Sequence, residues 1–150
     1  MLNKVLHCDC GSMFADVAPL VLRVALGAIF AWHGYDKIFT VGLPGIEGFL
    51  GSIGIPLAGV MAYVLAYGEL IFGLLLIVGL FTHWAAKFAA IVGVVAFFTV
   101  HLKNGFAIGN GGYEFIMLIF AAAVSLIITG AGKYSLDAMW KKKQSDAVVM

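Results

Sequence analysis

The stretch PLAGVMAYVLAYGELIFGLLLIVGL, Pro56–Leu80, decides the fold. Its 25 residues carry one charge, Glu69. A bilayer core of about 30 Å takes roughly 20 apolar residues in a helix. In hydrocarbon a helix satisfies all its own backbone hydrogen bonds, which an open strand cannot do. The segment therefore reads as a membrane-crossing helix. The whole composition agrees with it. Of 150 residues 63% are apolar and 11% charged, where soluble domains carry about 25% charged residues. Mean hydropathy is +1.05. A chain this short has too little interior to hide so much apolar surface from water. Disorder and a disulfide-stapled secreted domain are excluded. The net charge of +1 offers no field for a polyanion, so nucleic acid is excluded as a partner.

Working outward, three further apolar spans appear: Val17 to Phe39, Trp84 to His101, and Tyr113 to Thr129. Pro19 suits a first helical turn. Only Phe81-Thr82-His83 separates the second span from the third, which predicts a tight antiparallel hairpin. Gly130 and Gly132 supply a stop after the fourth. The expectation is an all-α, antiparallel four-helix transmembrane bundle. It divides the chain into a lead (1–16), the bundle (17–134) and a basic tail (135–150). The lead lacks the apolar run and cleavage site of a signal peptide. In the loop from Thr40 to Ile55, Ile46–Leu50 is expected as a short helix on the membrane surface. Ser135 is a good N-cap for the tail, with Asp137 in its first turn, followed by Trp140 and Lys141-Lys142-Lys143.

Lysines set the orientation. Lys4, Lys87, Lys133 and Lys141–Lys143 fall on one side and only Lys37 and Lys103 on the other, so both termini are expected in the cytoplasm. Small residues at helical spacing mark helix contacts: Ala58, Ala62, Ala66 and Gly73; Ala86, Ala90 and Gly93; and Ala121–Ala123 with Ser125.

Charges at membrane depth cost about 2.5–3.5 kcal/mol or more, so each calls for a reason. Counting 1.5 Å per residue puts Arg23 about 9 Å in from the cytoplasmic side. The same count puts Glu69 about 20 Å in from the outer side, at nearly the same depth. A buried Arg23–Glu69 pair is expected, either fixing helix register or also holding a polar head group or a proton. His33, Lys37, His101 and Glu114 form a second layer near the outer face. They are either interfacial residues reaching water or part of a site. Histidine and carboxylate can exchange protons with a quinol oxygen, bind a transition metal, or, as two histidines, ligate haem. Spacing does not choose among these. Cys8 and Cys10, in His7-Cys8-Asp9-Cys10, are weak candidates for a soft metal or thiol exchange; otherwise they are free thiols on the lead. Gly109-Asn110-Gly111-Gly112 is a loop, not a phosphate cradle. The working site is expected inside the bundle, between the first three helices and the start of the fourth, opening toward the outer half of the membrane.

The chain resembles the DoxX family of small bacterial membrane proteins. The residues that carry the likeness are Arg23, Gly27 and Phe30; His33-Gly34 with Lys37; Gly54-Ile55-Pro56; Glu69 through Gly79-Leu80 to Thr82; His101; Glu114; and Gly130, Gly132 and Ser135-Leu136-Asp137. The resemblance implies a four-helix bundle in the bacterial plasma (inner) membrane. Relatives of that kind include a subunit of thiosulfate:quinone oxidoreductase. Arg23, His33, Lys37, Glu69, His101 and Glu114 match the family's polar pattern, and Cys8 and Cys10 do not belong to it. The leading expectation is a membrane subunit of an oxidoreductase system that meets quinone, the lipid bilayer and a partner protein; a second copy of the chain is a further possible partner. A small-molecule transporter and an anchor that recruits cytoplasmic proteins are the alternatives. Haem or a metal is a lesser expectation than quinone.

Overall fold

The computed structural model describes residues 12–148. Helix α1 runs Ser12–Asp36 and continues through a π-helical turn, Lys37–Val41. Helix α2 is Leu43–Ser52 and α3 is Ala58–Val78. Helix α4 is Thr82–Ala96, extended by a second π turn, Phe97–His101, and one 3-10 turn, Leu102–Asn104. After a short turn at Ile108–Asn110 come α5, Glu114–Thr129, and α6, Leu136–Val148. Among the described residues there is no strand. Three helical stretches are long and apolar enough to cross a membrane: Asp16–Val41, Ala58–Val78 and Thr82–Asn104. The fourth expected span, α5, is apolar but shorter. Its 16 residues reach about 24 Å.

Helix α1 packs chiefly on α3, and α4 on α5; smaller contacts of α3 with α4 and of α1 with α5 complete the association. The shared core contains Leu26, Phe30, Leu76, Ala85, Ala89, Ala123 and Leu126. Helix α2 covers the start of α3 through Ile46, Leu50 and Ala62. A helix was expected in that loop, and α2 is twice as long as the Ile46–Leu50 segment. Hairpin α3–α4 turns at Gly79 and Phe81, both left-handed. Ala62, Ala66, Gly73, Ala86, Ala90, Gly93 and Ala123 are buried, as small contact residues should be; Ala58, Ala122 and Ser125 are half-buried, and Ala121 is exposed.

The closest crossing is between α1 and α3. A Cβ on Gly27 would come within 2.6 Å of the Gly73 carbonyl oxygen, and one on Gly34 within 2.8 Å of the Ala66 carbonyl oxygen. Backbone contact of this kind drives helix association in lipid. Gly73→Ala should therefore force the helices apart and cost about 1–3 kcal/mol, read as a lower thermal midpoint in detergent. Gly48→Ala on α2, where a Cβ meets nothing within 4 Å, should be neutral or stabilising by about 0.5–1 kcal/mol. Equal midpoints for the two variants would contradict the close crossing.

Ser135 caps α6 as its type suggests: its Oγ accepts from the Ala138 N–H at 3.1 Å. Asp137 does more than sit in the first turn. Its carboxylate accepts from the Phe81 and Thr82 N–H groups at 2.8 and 2.9 Å, so it caps α4. Its own N–H donates to the Gly79 carbonyl at 2.9 Å. The start of α6 is thereby fastened to the α3–α4 turn.

Candidate functional site

The expected Arg23–Glu69 pair is not made. Arg23 is 1% exposed, and its guanidinium is spent on backbone. Nε donates to the Ala131 carbonyl at 3.0 Å, Nη1 to those of Leu76 and Ile77 at 3.3 and 3.0 Å, and Nη2 to that of Tyr134. It ties α1 to the end of α3 and to the segment leading into α6. Glu69 pairs instead with Lys37, Nζ to Oε2 at 2.5 Å. The depth count failed because it set the first residues of the second span level with the end of the first. In the fold α3 rises beyond α1, and α2 covers the excess. Glu69 consequently lies near the level of Gly34, which abuts Ala66 and Leu70. Gly79 is the residue that lies against the Arg23 guanidinium. Ten residues of helix, about 15 Å, separate it from Glu69.

The Lys37–Glu69 pair borders a cavity of about 340 Å³ at the α2 end of the molecule. One wall holds the pair; another holds Thr99 and His101 from the end of the α4 stretch; Phe49 and Leu50 of α2 close over it with Ile53 and Ile55. The other lining side chains, such as Met61, Leu65, Phe88 and Val92, are apolar. Lys37 and His101 both belong to π turns, Lys37–Val41 and Phe97–His101. Such turns break the helical register and re-aim side chains, and they are frequent at functional sites. The His101 Nδ1 lies 2.7 Å from the Gly111 carbonyl oxygen. A carbonyl only accepts, so Nδ1 carries a hydrogen and, in the neutral ring, Nε2 is the proton acceptor. The charges of the pair are nearly out of solvent, with side chains 19% and 6% exposed. A lysine held there by a carboxylate remains a donor for a second acceptor, since an ammonium has three N–H groups.

Of the six expected site residues, the structure brings Lys37, Glu69 and His101 to one cavity. Arg23 belongs to the opposite end. His33 is exposed on α1 and does not line the cavity. Glu114 accepts from the Ile108 N–H at 3.0 Å and so closes the loop ahead of α5. Thr99 and the α2 wall are site residues that the sequence does not mark: Ile46–Leu50 reads only as a surface helix, and Thr99 only as a lone hydroxyl. Cys8 and Cys10 lie outside the described residues. Among the described residues no three His, Cys, Asp or Glu side chains come together as a metal site.

These features define a small all-helical membrane protein with a charged pair set into an apolar cavity. The chain belongs to the DoxX family, whose pattern matches residues 18–102. That range contains Lys37, Glu69 and His101 and stops before Glu114. A Bacillus subtilis (strain 168) protein named "Putative oxidoreductase CatD" is 38% identical over 122 residues, 81% of this chain and 86% of that protein. An uncharacterised Haemophilus influenzae protein is 35% identical, covering 90% of this chain and 91% of its own length. The Escherichia coli (strain K12) inner membrane protein YqjF is 31% identical over 130 residues, 85% of this chain and 95% of that protein. No solved structure matches the chain significantly.

Proposed function

We propose that this chain is the membrane subunit of an oxidoreductase system, binding a quinone head group in the Lys37–Glu69–His101 cavity and exchanging electrons with a partner protein. It sits in the bacterial inner membrane as an antiparallel bundle of four crossing helices, α1, α3, α4 and α5, with both ends in the cytoplasm. The lysine asymmetry supports that orientation: Lys87, Lys133 and Lys141–Lys143 lie toward the α6 end. The observation that carries the reading is the cavity itself, apolar except for an ion pair, a hydroxyl and a histidine. Its volume lies within the usual range for small-molecule sites, about 300–1,000 Å³. The names of two relatives, an oxidoreductase and an inner membrane protein, are consistent with it.

The donor set fits a quinone. Its two carbonyl oxygens need donors, and its substituents need an apolar wall. A bound quinone would supply a carrier of two electrons and two protons. Lys37 would donate a hydrogen bond to one carbonyl oxygen, aimed there by its pairing with Glu69. His101, with Nδ1–H anchored on the Gly111 carbonyl, takes or gives a proton through Nε2. The side chains of α2 exclude water from the head group.

A short-chain ubiquinone analogue should raise the thermal midpoint of the detergent-purified protein by several degrees, because it binds only the folded state. The gain should fall by more than half in His101→Gln and in the double variant Lys37→Met with Glu69→Met, and should persist in His33→Ala. An undiminished gain in the double variant, or none in the parent, would remove quinone from this cavity.

A further inference from the structure

The mouth of the Lys37–Glu69–His101 cavity has a chemistry of its own. Helices α3 and α4 leave their turn at Gly79 and Phe81 and meet where Phe88 seats on Gly68; a Cβ on Gly68 would stand 2.5 Å from that ring. The Phe88 ring also packs on Phe72, with centroids 4.6 Å apart. Phe88 lines the cavity, so this contact is its floor toward the turn. Beyond the floor the gap between the two helices is lined but not sealed. Val64 of α3 and Ile91 and Val95 of α4 line the cavity, yet they are 50%, 63% and 44% exposed. The fourth exposed lining residue is Phe49 of α2. All four are apolar. The polar lining residues, Lys37, Glu69, Thr99 and His101, are buried or half-buried.

That distribution identifies the solvent the mouth meets. Ile91 lies nine residues after Thr82 and thirteen before Asn104, the ends of a membrane-crossing stretch. At 1.5 Å per residue it is about 14 and 20 Å from those ends, within a hydrocarbon core of about 30 Å. A mouth onto water would bare these side chains against the hydrophobic effect; a mouth onto lipid bares them to a medium of their own kind. On the far side Leu50, buried on α2, covers the cavity with Ile53 and Ile55. We infer that the α3–α4 gap is a lateral portal, and that the ligand is a prenylated quinone that enters it from within the bilayer. The portal rests on the quinone reading of the site. The ring reaches Lys37 and His101, while the isoprenoid chain lies against Val64, Ile91 and Val95 and passes out into lipid. A water-borne ligand without such a chain has no use for an apolar opening at this depth.

The test is thermal unfolding of the full chain in delipidated detergent micelles, with ubiquinones of one and of four isoprene units compared at equal mole fraction in the micelle. In the parent both should raise the midpoint by several degrees. Ile91→Trp and Val64→Trp, which narrow the gap from its two sides, should each lose at least half of the four-unit gain and keep the one-unit gain. Leu118→Trp, exposed on α5 and away from the cavity, should keep both. A second readout needs no variant: a four-unit ubiquinone with a diazirine on its second isoprene unit should label peptides containing Val64, Ile91 or Val95. A full four-unit gain in both gap variants, or labelling confined to α1 or α5, would overturn the portal and leave the quinone reading standing. No gain from either ubiquinone in the parent would overturn the quinone reading, and the ligand of the portal with it.

Discussion

Replacing Arg23 by methionine should destabilise the protein by about 3–5 kcal/mol, because it takes a donor away from carbonyl groups at two places in the fold. The guanidinium serves Leu76 and Ile77 at the end of α3, and Ala131 and Tyr134 in the segment before α6. The Leu76 carbonyl keeps the Gly79 N–H; each of the others left buried without a donor costs about 1–3 kcal/mol, partly offset by the burial cost of the charge that is removed. Arg23→Lys should recover little. A single ammonium on a flexible stem cannot reproduce the planar fork that reaches several acceptors at once. The expected signs are a lower thermal midpoint and faster proteolytic cleavage within residues 130–137, which Arg23 fastens to α1. A midpoint within about 2 °C of the parent for Arg23→Met, where 1 kcal/mol is worth about 2–4 °C in a chain this long, would show that the staple contributes nothing.

Glu69→Ala should be nearly as damaging, at about 3–5 kcal/mol, since it leaves the Lys37 ammonium without its carboxylate in a largely apolar setting. Removing both charges, as Lys37→Met with Glu69→Met, should recover most of the loss. A buried ion pair is often no more stabilising than apolar residues of similar size. The companion double variant, Arg23→Met with Glu69→Met, should show no recovery. Its two effects should add, because those sites share no partner and lie too far apart to couple. Recovery in the Arg23 double, with none in the Lys37 double, would reinstate the Arg23–Glu69 pairing and refute the observed one. Thermal midpoints of the four variants and the parent, taken in one detergent, decide the matter.

The membrane helices are legible in sequence because the bilayer makes a local demand. Any stretch in hydrocarbon must be apolar and must satisfy its own backbone, so Pro56–Leu80 identifies itself without knowledge of its neighbours. The Ser135 cap is local too: it needs only the N–H three residues on. Gly27 and Gly34, two of the glycines that carry the family resemblance, are legible as small residues, although the α1–α3 crossing that requires them is a tertiary contact.

Partnership was not local. Lys37, Glu69 and His101 could be picked out as costly residues in apolar helices. Which of them meet depends on the axial stagger of α1 against α3, and a count of 1.5 Å per residue contains no information about stagger. Packing of α2 on the first turns of α3, and the glycine notches of the crossing, set that offset and so gave Glu69 to Lys37. A buried charge in sequence points to an opposite charge, but the acceptors of Arg23 are carbonyl oxygens, which every residue carries and no sequence pattern singles out. Asp137 likewise caps a helix more than fifty residues away. Residue order alone specifies a helical membrane protein with a few charges too costly to be idle. Which of them brace the fold and which face a cavity depends on helix offset and backbone geometry rather than on residue type, and so emerges only from the packed helices.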